Sequence, residues 1–360
     1  MYEFQNSDDF LKEQTPKVME ERKKLGLEGL VKGLNAVIIN TEIDLQKNTV
    51  KELLSYTGLH LNSVFEDDTF RTAVLTRDGS ASFLVRARLT PQNPFKVFND
   101  HPKSKVLPNT RLECFVFDVP NLAKYVEIQH SKGVRFTTPE IIDTDNYAYI
   151  QSQPSNYIGT SYGYIQSHHH KDYHPNEFRE ITNWNLQKPD YSHLKNIYEL
   201  DHTATRVKAE ERDTAIIEFM RMTNYHFDFA IYVKHLNSIT NVARLSANEF
   251  AMVFTSGITP FQPTGTSGPT EKFTYNYGPR VHHMAFRTEH IDETYVQLRE
   301  TGMEFLVELV GSEEEGLKQT FSAQSPSTMI VNEYIHRFGD FDGFFTKSNV
   351  TDLTRATEKQ

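Results

Sequence analysis

The sequence predicts an α+β chain of tandem βαβββ modules, folded into two pseudo-equivalent half-open barrels behind an N-terminal helical extension. Three internal alignments carry that expectation. RLECFVFDVPNLAKYVEIQHSKGVRF (111–136) lies without gaps on RVHHMAFRTEHIDETYVQLRETGMEF (280–305), so that Arg111 meets Arg280, Phe117 meets Phe286, Gly133 meets Gly302 and Phe136 meets Phe305. GLNAVIINTEIDLQKNTVKELLSYTG (33–58) lies in the same way on ELDHTATRVKAEERDTAIIEFMRMTN (199–224). YGYIQS (162–167) lies on NEYIHR (332–337). The three offsets are 169, 166 and 170 residues, and the pairs keep the same order along the chain.

Taken in order, residues 1–30 are charged and helix-like, an extension ahead of the first half. Residues 31–173 form that half and 197–360 the second, with a polar, proline-containing linker at 174–196. Within 111–136 and 280–305 the pattern is an alternating strand, a short acidic connection, an amphipathic helix, a glycine suited to a left-handed cap, and a new strand. Each half is expected to hold two such modules. Several alternating strands after the helix curl a mixed sheet, and the concave side can hold a ligand.

Bulk properties narrow the class of partner. The chain of 360 residues is 38% hydrophobic and 24% charged, with 25 Phe and 17 Tyr, a globular composition. Its formal charge of −10, without a clustered basic stripe, argues against nucleic acid and for a small molecule. The sequence contains no run of eighteen apolar residues, so no membrane span is expected. The charged N-terminus lacks the apolar core of a secretory signal. The single cysteine, Cys114, leaves no internal disulfide or cysteine-based zinc site and fits a reducing cytoplasm.

The alignments also select chemistry. His202 falls on Ala36, His283 on Cys114 and Glu333 on Gly163. The second half thus holds two histidines and a carboxylate, each on its own strand, where the first half has nothing that chelates. Two His and one carboxylate form the facial triad of non-haem Fe(II) oxygenases, with positions left open for substrate and O2. Strand alternation places His202 with Ala204, His283 with Val281 and Ala285, and Glu333 with Ile335. His282 is then expected on the opposite face or near the rim. Glu333, flanked by Ile330, Val331 and Ile335, needs a partner, either a metal or a buried arginine. Asp201 either orients His202 or ends the preceding loop. The tract SHHHKDYH (167–174) is hydrophilic and its adjacent residues diverge, so it is read as surface rather than as a metal site.

IYELDHTATRV, RVHHMAFRTEHI, GLKQTFSAQ and MIVNEYIHRFG, in that order, resemble 4-hydroxyphenylpyruvate dioxygenase and hydroxymandelate synthase, of the vicinal oxygen chelate superfamily. The resemblance runs over roughly residues 30–355 and is sharp in the second half. It implies that His202, His283 and Glu333 bind Fe(II), that an aromatic 2-oxo acid chelates the iron through two oxygens, and that O2 takes the remaining position for oxidative decarboxylation and hydroxylation. It further implies substrate contacts from Gln319, Phe321, Phe345 and Asn349, and a homo-oligomer. Read from the residues alone, Phe321 and Phe345 are either an aromatic wall or plain core. Four positions depart from the family: His282 stands for a Gln, Val242 and Gly257 for polar groups at the phenol end, and Val350 for a second stacking Phe. The connection from 304–306 to the Glu333 strand is also shorter. A divalent-metal lyase, isomerase or ring-cleaving enzyme on the same scaffold, or a protein that only binds an aromatic ligand, stays open.

Overall fold

In a computed structural model of the chain, residues 4–247, 249–263, 267–339, 341 and 343–360 are described. Runs rich in Val, Ile and Phe with two-residue alternation form the strands. In the first half these are β1 (Leu34–Thr41), β2 (His60–Glu66), β3 (Phe70–Thr76), β4 (Ser82–Arg88), β5 (Arg111–Asp118), β6 (Ile142–Asp143), β7 (Tyr147–Gln151) and β8 (Ser161–Ser167), with β9 (Arg179–Glu180) following. The second half supplies β10 (Ile197–Arg206), β11 (His226–Val233), β12 (Ser238–Arg244), β13 (Ala251–Ser256), β14 (Arg280–Thr288), β15 (Val310–Ser312), β16 (Leu317–Phe321) and β17 (Val331–Arg337). The helices are α1 (Asp9–Leu25), α2 (Gln46–Tyr56), α3 (Leu122–Ser131), α4 (Arg212–Met222), α5 (Pro269–Tyr277), α6 (Ile291–Glu300) and α7 (Lys347–Ala356).

Each half is one curled mixed sheet. The first runs β6-β7-β8-β5-β1-β4-β3-β2-β9 and the second β15-β16-β17-β14-β10-β13-β12-β11, the same order apart from the added β9. Both contain two strand–helix–three-strand modules whose first strands, β1 with β5 and β10 with β14, pair antiparallel at the centre. β9 lies in the stretch 174–196 and pairs with β2, so that stretch is tied to the first sheet's edge. Cα partners coincide too: Ile38 faces Cys114 where Ala204 faces His283, and Val116 faces Gly163 where Ala285 faces Glu333.

One correction to the strand reading comes from the backbone. β14 bulges against β10, its partners stepping from Ala204–His283 to Thr205–Val281, so His282 is the extra residue. A bulge breaks two-residue alternation and turns neighbouring side chains toward one side. His282 is therefore not on the far face: both histidines border the same cavity. β5 carries the matching bulge at Glu113.

The outer faces of the sheets and the helices share one core that crosses between halves, with Phe83 against Phe286 and Phe117 against Phe219. α1 ends at Gly26, whose φ of 74° is the left-handed cap that glycine accepts without strain. The buried Arg22 of α1 donates to the carbonyls of Met220, Thr223 and Tyr225, fastening the N-terminal extension to the second half. Two equivalent arginines cross between halves: Arg111 Nη2 donates to Pro279 O and Arg280 Nη2 to Thr110 O, each at 2.8 Å. No helix among the described residues is long and apolar enough to cross a membrane.

Candidate metal centre

β10, β14 and β17 are adjacent in the second sheet and each brings one side chain to its concave face: His202, His283 and Glu333. Their ligand atoms lie within 4.8 Å of one another, and all three residues are buried. Glu333 Oε2 stands 3.2 Å from His202 Nε2 and 3.1 Å from His283 Nε2. No other such convergence of three His, Cys, Asp or Glu occurs among the described residues. The His168–His170 tract is exposed.

The surroundings set which nitrogen faces the centre. Asp201 Oδ1 accepts from His202 Nδ1 at 2.8 Å, so Nε2 is the nitrogen that faces Glu333. Asp201 is held in turn by Arg337, at 2.6 and 3.0 Å. Of the two readings for Asp201, the geometry thus favours orientation of the ring. On the other side, His282 Nε2 lies 2.8 Å from Gln360 Oε1, an acceptor, so it carries the proton. His282 Nδ1 is then free to accept from His283 Nδ1 at 2.9 Å, which again leaves Nε2 for the centre. Gln319 Nε2 donates to Glu333 Oε1, and Asn349 Nδ2 donates to Gln319 Oε1 at 3.0 Å.

The electrostatics show what is crowded here. Burial alone raises a carboxyl pKa, yet the facing imidazoles hold Glu333 down at about 2. Burial alone lowers an imidazole, yet Glu333 and Asp201 hold His202 up at about 9. Burial lowers His283, against the opposing pull of Glu333. His202 Nε2 is nonetheless buried without a hydrogen-bond partner. Two imidazole nitrogens and a carboxylate oxygen converging on one point fit a divalent transition metal, with one polar atom left to satisfy.

Phe321 packs 4.7 Å from the His283 ring and Phe345 5.1 Å from the His202 ring, centroid to centroid. Both border the cavity beside the triad, as do Gln319, His282 and Val350. Asn349 is buried behind Gln319 and does not border it, and neither do Val242 or Gly257. The cavity measures about 40 Å³, and α7 with the following turn lends Val350, Leu353, Thr354 and Thr357 to its wall. The sequence reading passed over Arg206, buried in the same wall with its pKa lowered to about 9 by burial. Its signal was present, since Arg206 shares the parity of His202 and Ala204 on β10.

In the first half, Ala36, Cys114 and Gly163 occupy the corresponding places. Burial pushes the Cys114 thiol up to about 12, so it stays protonated and is a poor ligand. That concave face instead borders a cleft of about 960 Å³ containing Arg86 and the Arg88–Glu113 pair at 2.6 Å.

No family model and no curated protein matches the sequence. Solved structures do match in shape. A triple mutant of 4-hydroxymandelate synthase from Streptomyces coelicolor superposes with a TM-score of 0.68 over 91% of this chain and 98% of its own, at 15% identity. A xylose isomerase-like TIM barrel/4-hydroxyphenylpyruvate dioxygenase fusion protein gives 0.64 over 98% of this chain and 58% of its own, at 11% identity. At such identities the likeness establishes architecture: this chain has the paired half-barrels of the vicinal oxygen chelate fold.

Proposed function

We propose that the chain is an Fe(II)-dependent dioxygenase acting on an aryl 2-oxo acid, with His202, His283 and Glu333 as its three protein ligands. The observation that supports this most is the convergence of two imidazole Nε2 atoms and one carboxylate oxygen in a buried, aromatic-walled cavity. Bound there, Fe(II) would supply O2 activation, with the substrate giving the four electrons that reduce O2, two through loss of CO2 and two through hydroxylation. Asp201 and His282 keep protons on the outward nitrogens of the two ligand rings, and Gln319 holds Glu333. Phe321 and Phe345 wall the cavity for a planar group. The cavity as packed holds about 40 Å³, so α7, which supplies Val350, Leu353 and Thr354 to its wall, is the element whose displacement would admit an aryl-pyruvate. Two fold neighbours named for 4-hydroxymandelate and 4-hydroxyphenylpyruvate agree with an aromatic acid.

The test is metal analysis coupled to O2 uptake and CO2 release over a panel of aryl-pyruvates. Stoichiometric Fe(II) with matched O2 consumption and CO2 release is expected. His202→Ala, His283→Ala and Glu333→Ala should each lose the metal. Retention of zinc or manganese without CO2 release favours lyase or isomerase chemistry on the same ligands. Unchanged metal content in all three variants overturns the metal centre itself.

A further inference from the structure

Arg206 and Arg280 each have one short bond and no carboxylate, unlike the other buried arginines, and of the two only Arg206 borders the triad cavity. Arg22 donates to three carbonyls, Arg111 to Asn99 Oδ1 and Pro279 O, and Arg212 to Asp8 and Asn241. Arg206, only 4% exposed, has one short bond, Nη2 to Thr357 Oγ1 at 2.9 Å, and one long one, Nη1 to Pro269 O at 3.5 Å. No carboxylate pairs with it among the described residues. Its guanidinium lies over the Phe273 ring, 4.6 Å from the centroid, an arrangement that leaves the N–H edge free to donate.

That cation borders the cavity of the triad. Thr240, Thr255 and Thr270 line the same end, and the buried Thr255 hydroxyl has no partner. The counterpart of Arg206 in the first half is Asn40, bonded to the Asn109 carbonyl, so the arginine accompanies the triad rather than the fold. Arg206 lies four residues along β10 from His202, and its charge is near enough to add to burial in lowering the pKa of His282 and His283, so guanidinium and triad face one short cavity. A small molecule reaching from one to the other meets a metal-ligand triad at one end and an unpaired guanidinium with hydroxyls at the other. Burying an isolated cation is costly unless an anion arrives to pair with it.

We infer that the pocket takes a 2-oxo acid carrying a second negative charge at its far end, a carboxylate or comparable oxyanion, with Arg206 as its anchor. This rests on the proposed function for the near end of the pocket. The Thr357 hydroxyl stands in the oxyanion's place while α7 is closed.

The experiment is isothermal titration of the full chain, metal-free and anaerobically Fe(II)-loaded, with 4-carboxyphenylpyruvate and phenylpyruvate. Wild type should bind the carboxylated acid on the order of tenfold or more tightly, as a charge-assisted contact gives. Arg206→Met should remove the preference and Arg206→Lys keep part of it, with circular dichroism and thermal melts showing both variants folded. Equal affinities in wild type, no binding of either acid, or a preference that survives in Arg206→Met overturns the inference. Affinities unaffected by Fe(II), with the charge preference intact, overturn the iron reading and leave the Arg206 anchor standing.

Discussion

At the scale of single residues, the centre depends on groups that never face a ligand directly. Asp201 fixes the His202 ring and is itself fixed by Arg337. Asp201→Asn leaves the shape intact but weakens the hold on Nδ1–H, and metal affinity should fall by roughly 10- to 100-fold, read by competition with a chelating dye. A second residue-scale expectation concerns pH. Glu271 of α5 is buried with its Oε1 accepting from Gly257 N–H at 2.7 Å, and burial holds its pKa at about 7 against an ordinary 4.5. The folded chain therefore keeps a proton that the unfolded chain gives up between those two values. Stability should fall as pH rises through that window, by up to about 3 kcal/mol, and stay level above it. Glu271→Gln should abolish this slope, as urea midpoints at pH 5 and pH 8 would show; an unchanged slope would place its origin elsewhere.

At the scale of elements, a bulge in β14 and a left-handed glycine within β15 shape the site. The β14 bulge puts His282 and His283 side by side, so one ring orients the other. Gly311 in β15 has a φ of 87°, and a Cβ there would lie 2.0 Å from Leu317 O and 2.7 Å from Asn349 Nδ2. Gly311→Ala should push β15 off β16 and disturb the Asn349–Gln319–Glu333 chain. Destabilisation of about 1–3 kcal/mol, together with weaker metal binding, is expected from melts and metal titration. The strands and helices themselves were largely legible, because alternation and amphipathic spacing are local. The bulge was not: it is visible only when β14 is set against β10, since the sequence alone does not say where pairing slips by a residue.

At the scale of the molecule, the two halves act as one body through a shared core and crossed arginines. Arg111→Met or Arg280→Met leaves the carbonyl of Pro279 or Thr110 without its donor. Each should cost roughly 1–3 kcal/mol in urea unfolding, with activity retained in the folded fraction. The same scale explains the division of labour. The first half keeps strand order, bulge and cleft but has Ala36, Cys114 and Gly163 at the ligand positions, so it lacks the ligand set of the second.

The sequence by itself determined the module order and picked His202, His283 and Glu333, because the chain carries its own comparison: the aligned halves differ at those places. It also held the parity that puts Arg206 on the ligand face. Only the tertiary structure decided that His282 faces inward, that Gln319 and Asn349 form a relay behind Glu333, and that α7 walls the cavity that Arg206 borders. Those features arise between segments far apart in the chain, where register, bulge and packing are set by what each strand and helix meets rather than by its own pattern.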